Sequence, residues 1–196
     1  KVIQAIRSGY TSVMIDASEY PYQENVTLVQ EVVKVAHAVG VPVEGELGRI
    51  GGTEDDITVD EREASLTVPE EALEFVEETG LDTLAVAIGT AHGVYQGEPK
   101  LDFERLSRIN ELIEIPLVLH GASGVPDDSV KKAIDNGIAK VNIATELKIP
   151  FAREVKKYFD ENPDGNDPRK YLGAGKEALK QVVKEKINLC GSNSLL

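Results

Sequence analysis

The chain has 196 residues, 41% hydrophobic and 28% charged, which suits one soluble globular domain over residues 1–196. A formal net charge of −13 argues against nucleic acid and against anionic membrane surfaces as partners, but not against a small anionic ligand held at a locally positive site. The single cysteine, Cys190, leaves no internal disulfide; no apolar run approaches the ~20 residues of a membrane span and no leader peptide is visible, so a reducing, cytoplasmic setting is expected.

The opening "KVIQAIRSGY" reads as the end of a helix without a cap, which predicts natural sequence N-terminal to Lys1. A first strand is expected over Ser12–Asp16. A helix over Asn25–Val39 places Val29, Val32, Val33 and Ala36 on one face and stops at Gly40. His37 lies within it beside Ala36 and Ala38, without polar company, and reads as a surface or satisfied histidine. A second strand covers Val41–Leu47 and contains Glu44 and Glu46. Residues 48–67, "GRIGGTEDDITVDEREASLT", are expected to form a long polar loop, and loops of this kind tend to be functional or mobile. The helix at Pro69–Thr79 opens on proline and two glutamates and stops at Gly80.

A third strand is expected over Thr83–Gly89, with His92 following in "AIGTAHG". Asp102 is a capping candidate for a helix over Asp102–Glu114 that presents Phe103, Leu106, Ile109, Leu112 and Ile113. The fourth strand, Pro116–His120, ends on an imidazole with Gly121, Ala122 and Ser123 behind it. Small residues there allow a ligand to approach the backbone. A helix over Asp127–Asn136 leads to a fifth strand, Ala139–Ala144, which places Asn142 near its end and Thr145 just beyond. Helices over Glu146–Glu161 and Ala174–Leu189 flank a turn-rich loop, 160–171, that contains Arg169.

The strands are apolar almost throughout and alternate with helices, which predicts an α/β fold with a parallel sheet. Five such units fit the last part of a TIM (β/α)8 barrel; an open doubly wound sheet competes, but no G-x-G-x-x-G follows any strand. In a barrel the chemistry sits at the carboxyl ends of the strands. Asp16, Glu44, Glu46, His92 and His120 all fall at or near such ends, and imidazole with carboxylate suits Zn²⁺. Two histidines fall short of the three protein ligands usual for catalytic zinc, which leaves Glu46, Asp16 or sequence beyond Lys1 to complete the set. The segments "HGASG" and "NIAT" offer backbone N–H groups to a phosphate.

The ordered motifs "VEGELGRIGGTEDD", "AVAIGTAHGVYQGEP", "PLVLHGASGVP", "KVNIATELK", "NDPRKYLGAG" and "CGS" span essentially the whole chain. Together they resemble the class II, zinc-dependent ketose-1,6-bisphosphate aldolases, which include fructose- and tagatose-bisphosphate aldolases. The resemblance implies a TIM barrel assembled as a homodimer or homotetramer, a catalytic Zn²⁺ and a monovalent cation, Na⁺ or K⁺. It implies that His92 and His120 ligate the zinc, with Glu46 and Asp16 at an alternative zinc position. Gly93, Gly121, Ala122, Ser123, Asn142, Ile143, Ala144 and Thr145 would hold the dihydroxyacetone phosphate end, with carbonyls near Gly93 and Gly121 on the monovalent cation. Glu54 would move a proton on the dihydroxyacetone carbon, and Arg169 would grip the far phosphate, if need be across a subunit interface. Nothing in the sequence matches the family's adjacent aspartate and first zinc histidine, so the chain taken alone is expected to be inactive. Ala144, where many fructose-specific members carry aspartate or asparagine, leans the resemblance toward tagatose. The alternative is a non-catalytic aldolase-like partner subunit, or an inactive fragment that binds sugar phosphate.

Overall fold

A computed structural model describes residues 1–54, 57–59, 65–95 and 97–194, with the backbone alone described at 52–54, 57–59 and 194. A short helix, α1 (Val2–Arg7), precedes strand β1 (Val13–Ile15). Then follow α2 (Tyr22–His37), β2 (Val43–Leu47), β3 (Gly51–Glu54), β4 (Ile57–Val59), α3 (Pro69–Thr79), β5 (Thr83–Val86) and β6 (Ala91–His92). The chain continues through α4 (Phe103–Leu112), β7 (Leu117–Leu119), α5 (Asp127–Asp135), β8 (Ile138–Val141), α6 (Thr145–Glu161) and α7 (Pro168–Leu189), and closes on a 3-10 turn at Ser192–Ser194.

The main sheet is parallel, in the order β1-β2-β5-β7-β8. The order follows the chain without reversal, so each crossover steps the same way. A doubly wound sheet reverses at a switch point; a barrel wall does not. Packing agrees. Helix residues Val26, Val29, Phe75, Leu106 and Ile109 form one core with strand residues Val43, Leu84, Val86, Leu117 and Leu119. A Cβ added at Gly45 would meet Leu81, Phe75 and Val29, so Gly45 faces that helix layer. Its neighbours Glu44 and Glu46 therefore project from the opposite face, because side chains alternate along a strand. The sheet thus has a helix-covered outer face and an inner face that carries charge, as the wall of a barrel has.

Several expectations need correction. The segment 48–67 is not simply a loop: β3 and β4 pair antiparallel within it, Arg49 bridges Ser65, and β3 pairs in parallel with β6. His37 has polar company, since its Nε2 lies 2.7 Å from Asp82 Oδ2. Arg169 sits in the first turn of α7 rather than in a loop, because Asp167 caps that helix by accepting from Arg169 N at 3.0 Å and Pro168 suits its first position. The main-sheet strands are shorter than expected by two or three residues.

Candidate active site

The parallel strands deliver their carboxyl ends to one edge. On β2, Glu44 and Glu46 flank His120, which follows β7. His120 Nε2 lies 2.9 Å from Glu44 Oε1 and Nδ1 lies 3.0 Å from Glu46 Oε2, with all three side chains at most 5% exposed. Glu44 Oε2 also accepts from Lys140 Nζ at 2.6 Å and from Thr83 Oγ1 at 3.4 Å, so one carboxylate links β2, β5, β7 and β8. Burial pushes the Glu44 carboxyl up, but hydrogen bonds from His120 and Lys140 outweigh it and hold it below its usual range. Burial likewise opposes charge on His120, yet the bonds to Glu44 and Glu46 raise its pKa to about 9. The two carboxylates thus favour the charged ring, with Nε2 hydrogen-bonded to Glu44 and Nδ1 in ion-pair contact with Glu46.

His92 lies in β6, where its backbone is in register with Gly52 of β3. Its ring centroid is 6.1 Å from that of His120, with the planes tilted by 42°. The two histidines predicted from sequence thus meet at one mouth. Beside them opens a cavity of about 470 Å³, lined by His92, Gly93, Gly121, Ser123, Asn142, Ile143, Ala144 and Thr145, together with Val141 and Lys148.

The local sequence explains this cavity. Gly121 adopts φ +65°, and a Cβ there would stand 2.5 Å from the Ala91 carbonyl oxygen, so only glycine fits. Ala122 is buried in the core rather than on the cavity wall. Ser123 Oγ accepts from Ala144 N at 3.0 Å and from Glu146 N at 3.4 Å, which ties the first turn of α6 to the end of β7. Thr145 opens α6, so the helix N-terminus and its positive dipole end lie at the cavity.

Three expected site residues stand differently. Asp16 is exposed at the end of β1, one position past the Ile15–Gly45 pair and hence beside Glu46, and its Oδ1 accepts from Ser18 N at 2.9 Å. Glu54 closes β3, and its side chain lies outside the described residues. Arg169 is not brought to the mouth. Its side chain is 89% exposed and pairs with Asp167, Nη2 to Oδ2 at 2.9 Å, beside a separate shallow depression on α7. Sequence reasoning missed Lys140, Lys148 and the pairing of Glu44 with His120. The one available signal was the i, i+2 spacing of Glu44 and Glu46, which puts both on one face of a strand.

The sequence model of the class-II fructose-bisphosphate aldolases matches residues 1–194, and the chain belongs to this family. Among solved structures, the YdjI aldolase from Escherichia coli K12 is 41% identical, with a TM-score of 0.79 over 97% of this chain and 65% of that one. A candidate fructose-1,6-bisphosphate aldolase from Coccidioides immitis is 34% identical, with a TM-score of 0.83 over 95% of this chain and 65% of that one. The fructose-bisphosphate aldolase Fba from Campylobacter jejuni is 25% identical, with a TM-score of 0.73 over 96% of this chain and 63% of that one. The chain therefore spans slightly less than two thirds of these relatives.

The family implies zinc, and the donors at the mouth can be tested against it. Two imidazoles and a buried carboxylate are the ligand types zinc selects, and the two buried carboxylates on either side of the His120 ring make a place that favours positive charge. The donor chemistry fits. The shell is partial: among the described residues, no three His, Cys, Asp or Glu side chains are grouped so as to hold an ion. Uptake at His120 requires a neutral ring nitrogen and would release a proton.

Proposed function

We propose that this chain supplies the sugar-phosphate and metal face of a class II aldolase. The reaction is reversible cleavage of a ketose 1,6-bisphosphate, tagatose- or fructose-1,6-bisphosphate, to dihydroxyacetone phosphate and glyceraldehyde 3-phosphate. The observation that carries this reading is the meeting of His92 and His120, 6.1 Å apart, at the rim of a cavity walled by glycine, serine and a helix N-terminus. His92 and His120 would hold zinc, with Glu46 beside His120 and Asp16 at the neighbouring strand end. Bound there, zinc supplies Lewis-acid stabilisation of the negative charge that develops on an enediolate.

The chain's own residues do the rest. Gly93, Gly121, Ser123, Asn142, Ile143, Ala144 and Thr145 receive the phosphate end, while burial beside the core excludes water from one side. Ala122 acts behind them as packing. Carbonyls near Gly93 and Gly121 suit a Na⁺ or K⁺ ion beside the phosphate. Glu54, on the segment that pairs with His92, moves the proton on the dihydroxyacetone carbon. Arg169 grips the far phosphate from the surface of a second copy, in a homodimer or homotetramer, where its bidentate geometry suits that group. Ala144 favours tagatose, and the setting is cytoplasmic. Among the described residues no helix is long and apolar enough to cross a membrane.

The test is cleavage of fructose- and tagatose-1,6-bisphosphate side by side, with and without a chelator. Chelator-sensitive cleavage supports the reading, and the rate ratio names the sugar. Cleavage that survives complete removal of metal overturns it.

A further inference from the structure

Tyr95 lies outside the residues given roles above, yet it ties together the two loops that carry the histidines. Its hydroxyl accepts from Ala91 N at 2.7 Å and donates to the Gly121 carbonyl at 2.8 Å. Ala91 immediately precedes His92, and Gly121 immediately follows His120. One phenol oxygen thus bridges the backbones beside both imidazoles. The loops are already in close approach there, since a Cβ at Gly121 would strike Ala91, and the Tyr95 ring packs 3.2 Å from where a Gly124 Cβ would stand. Burial raises the phenol above its usual pKa, and the bond from Ala91 only partly offsets this, so the hydroxyl stays protonated and able to donate at neutral pH.

Among the described residues, no strand pairing joins these two loops. β6 pairs with β3, and β7 pairs with β5 and β8. Without a link, β6 would follow the 48–67 segment and His120 would follow the main sheet. Tyr95 is the hydrogen-bonded crosspiece between them. We propose that Tyr95 is a positioning residue that fixes the separation of His92 and His120, and thereby the affinity and geometry with which the two histidines would hold a metal ion. This rests on the metal reading above, but its physical content, coupling of two loops, does not.

The test is Tyr95→Phe, which removes the bridging oxygen and keeps the ring against Gly124. Residue-resolved hydrogen exchange on metal-free protein should show residues 91–93 and 120–122 both opening at least about tenfold faster, with β5 and α4 unchanged. Zinc affinity, measured by competition with a chromophoric chelator, should fall about 10–100-fold, as for other partners one bond removed from ligands. The d–d absorption of Co²⁺-loaded protein should shift, which a purely structural residue would not produce. Faster exchange in one loop only, or unchanged zinc affinity in protein that binds zinc, overturns the proposal. A variant that loses its fold overturns it too, because the hydroxyl would then be supporting the core rather than the histidine spacing. Wild-type protein that takes up no zinc refutes the metal reading alone, and the exchange measurement then decides whether Tyr95 couples the loops.

Discussion

Lys140→Met tests the ion pair on the inner face of the sheet. Lys140 Nζ lies 2.6 Å from Glu44 Oε2; the glutamate side chain is 5% exposed and the lysine 52%. At that separation the attraction is about 6 kcal/mol for an effective dielectric near 20 and about 1.6 kcal/mol in bulk water. Half-exposure of the lysine draws the value toward the watery limit, and ordering a lysine side chain costs up to about 2 kcal/mol. Glu44 also keeps His120 Nε2 at 2.9 Å and Thr83 Oγ1 at 3.4 Å. The expected loss is therefore about 1–2 kcal/mol, below the ~3–5 kcal/mol typical when one partner of a fully buried pair is removed. For a chain of this length that lowers the melting temperature by roughly 2–8 °C. Urea unfolding at pH 7, followed by two spectroscopic probes, reads the value directly. A loss under about 0.3 kcal/mol would mean that solvent already screens the pair, and one above about 4 kcal/mol would mean that Lys140 behaves as buried; either refutes the reasoning.

Gly121→Ala forces a methyl against the Ala91 carbonyl at a left-handed φ and should cost at least about 1–3 kcal/mol, seen in the melting temperature together with weaker binding of dihydroxyacetone phosphate. Glu54→Ala should leave zinc uptake intact and remove proton exchange on the dihydroxyacetone phosphate carbon; unchanged exchange would take Glu54 out of that role. Arg169→Ala should weaken bisphosphate binding more than binding of dihydroxyacetone phosphate, and equal losses would place Arg169 elsewhere. Lys186 Nζ lies 2.8 Å from Glu146 Oε2 and 3.3 Å from Asp127 Oδ1; burial lowers its pKa, but those partners more than reverse this and raise it above its ordinary 10.5. Stability from this cluster is thus complete below pH 10.5 and lost as pH rises through the higher folded-state value, so Lys186→Met should flatten the alkaline limb of the stability curve.

The five main strands and the seven helices were legible in the sequence, most of them because apolar periodicity and glycine stops mark them. The segment 48–67 was not. β3 is glycine-rich and polar, β4 is only three residues long and β6 only two, so these strands, held by backbone pairing, are too short to show a readable period. The first turns of α7 were hidden by turn-forming residues, although Asp167 followed by Pro168 is itself a helix-start signal. At the site, the histidines could be found because an imidazole at the end of an apolar strand is conspicuous. Lys140 could not: a lysine in a last strand reads as a solvated edge, and its partner Glu44 is 96 residues away in sequence. Tyr95 was equally opaque, since both its partners are backbone groups, which carry no residue identity.

The small residues behind His120 show how a composition signal separates into distinct physical demands. Gly121 is required by close approach and positive φ. Ala122 is required by burial, because a larger side chain would enter the core formed with Leu119 and Ile138. Ser123 is required by its hydroxyl, which satisfies two N–H groups at the start of α6. Glycine richness alone would have allowed any of the three at each position. The order Gly-Ala-Ser therefore reports the local geometry, with the loop touching Ala91 first, the core second and the helix start third.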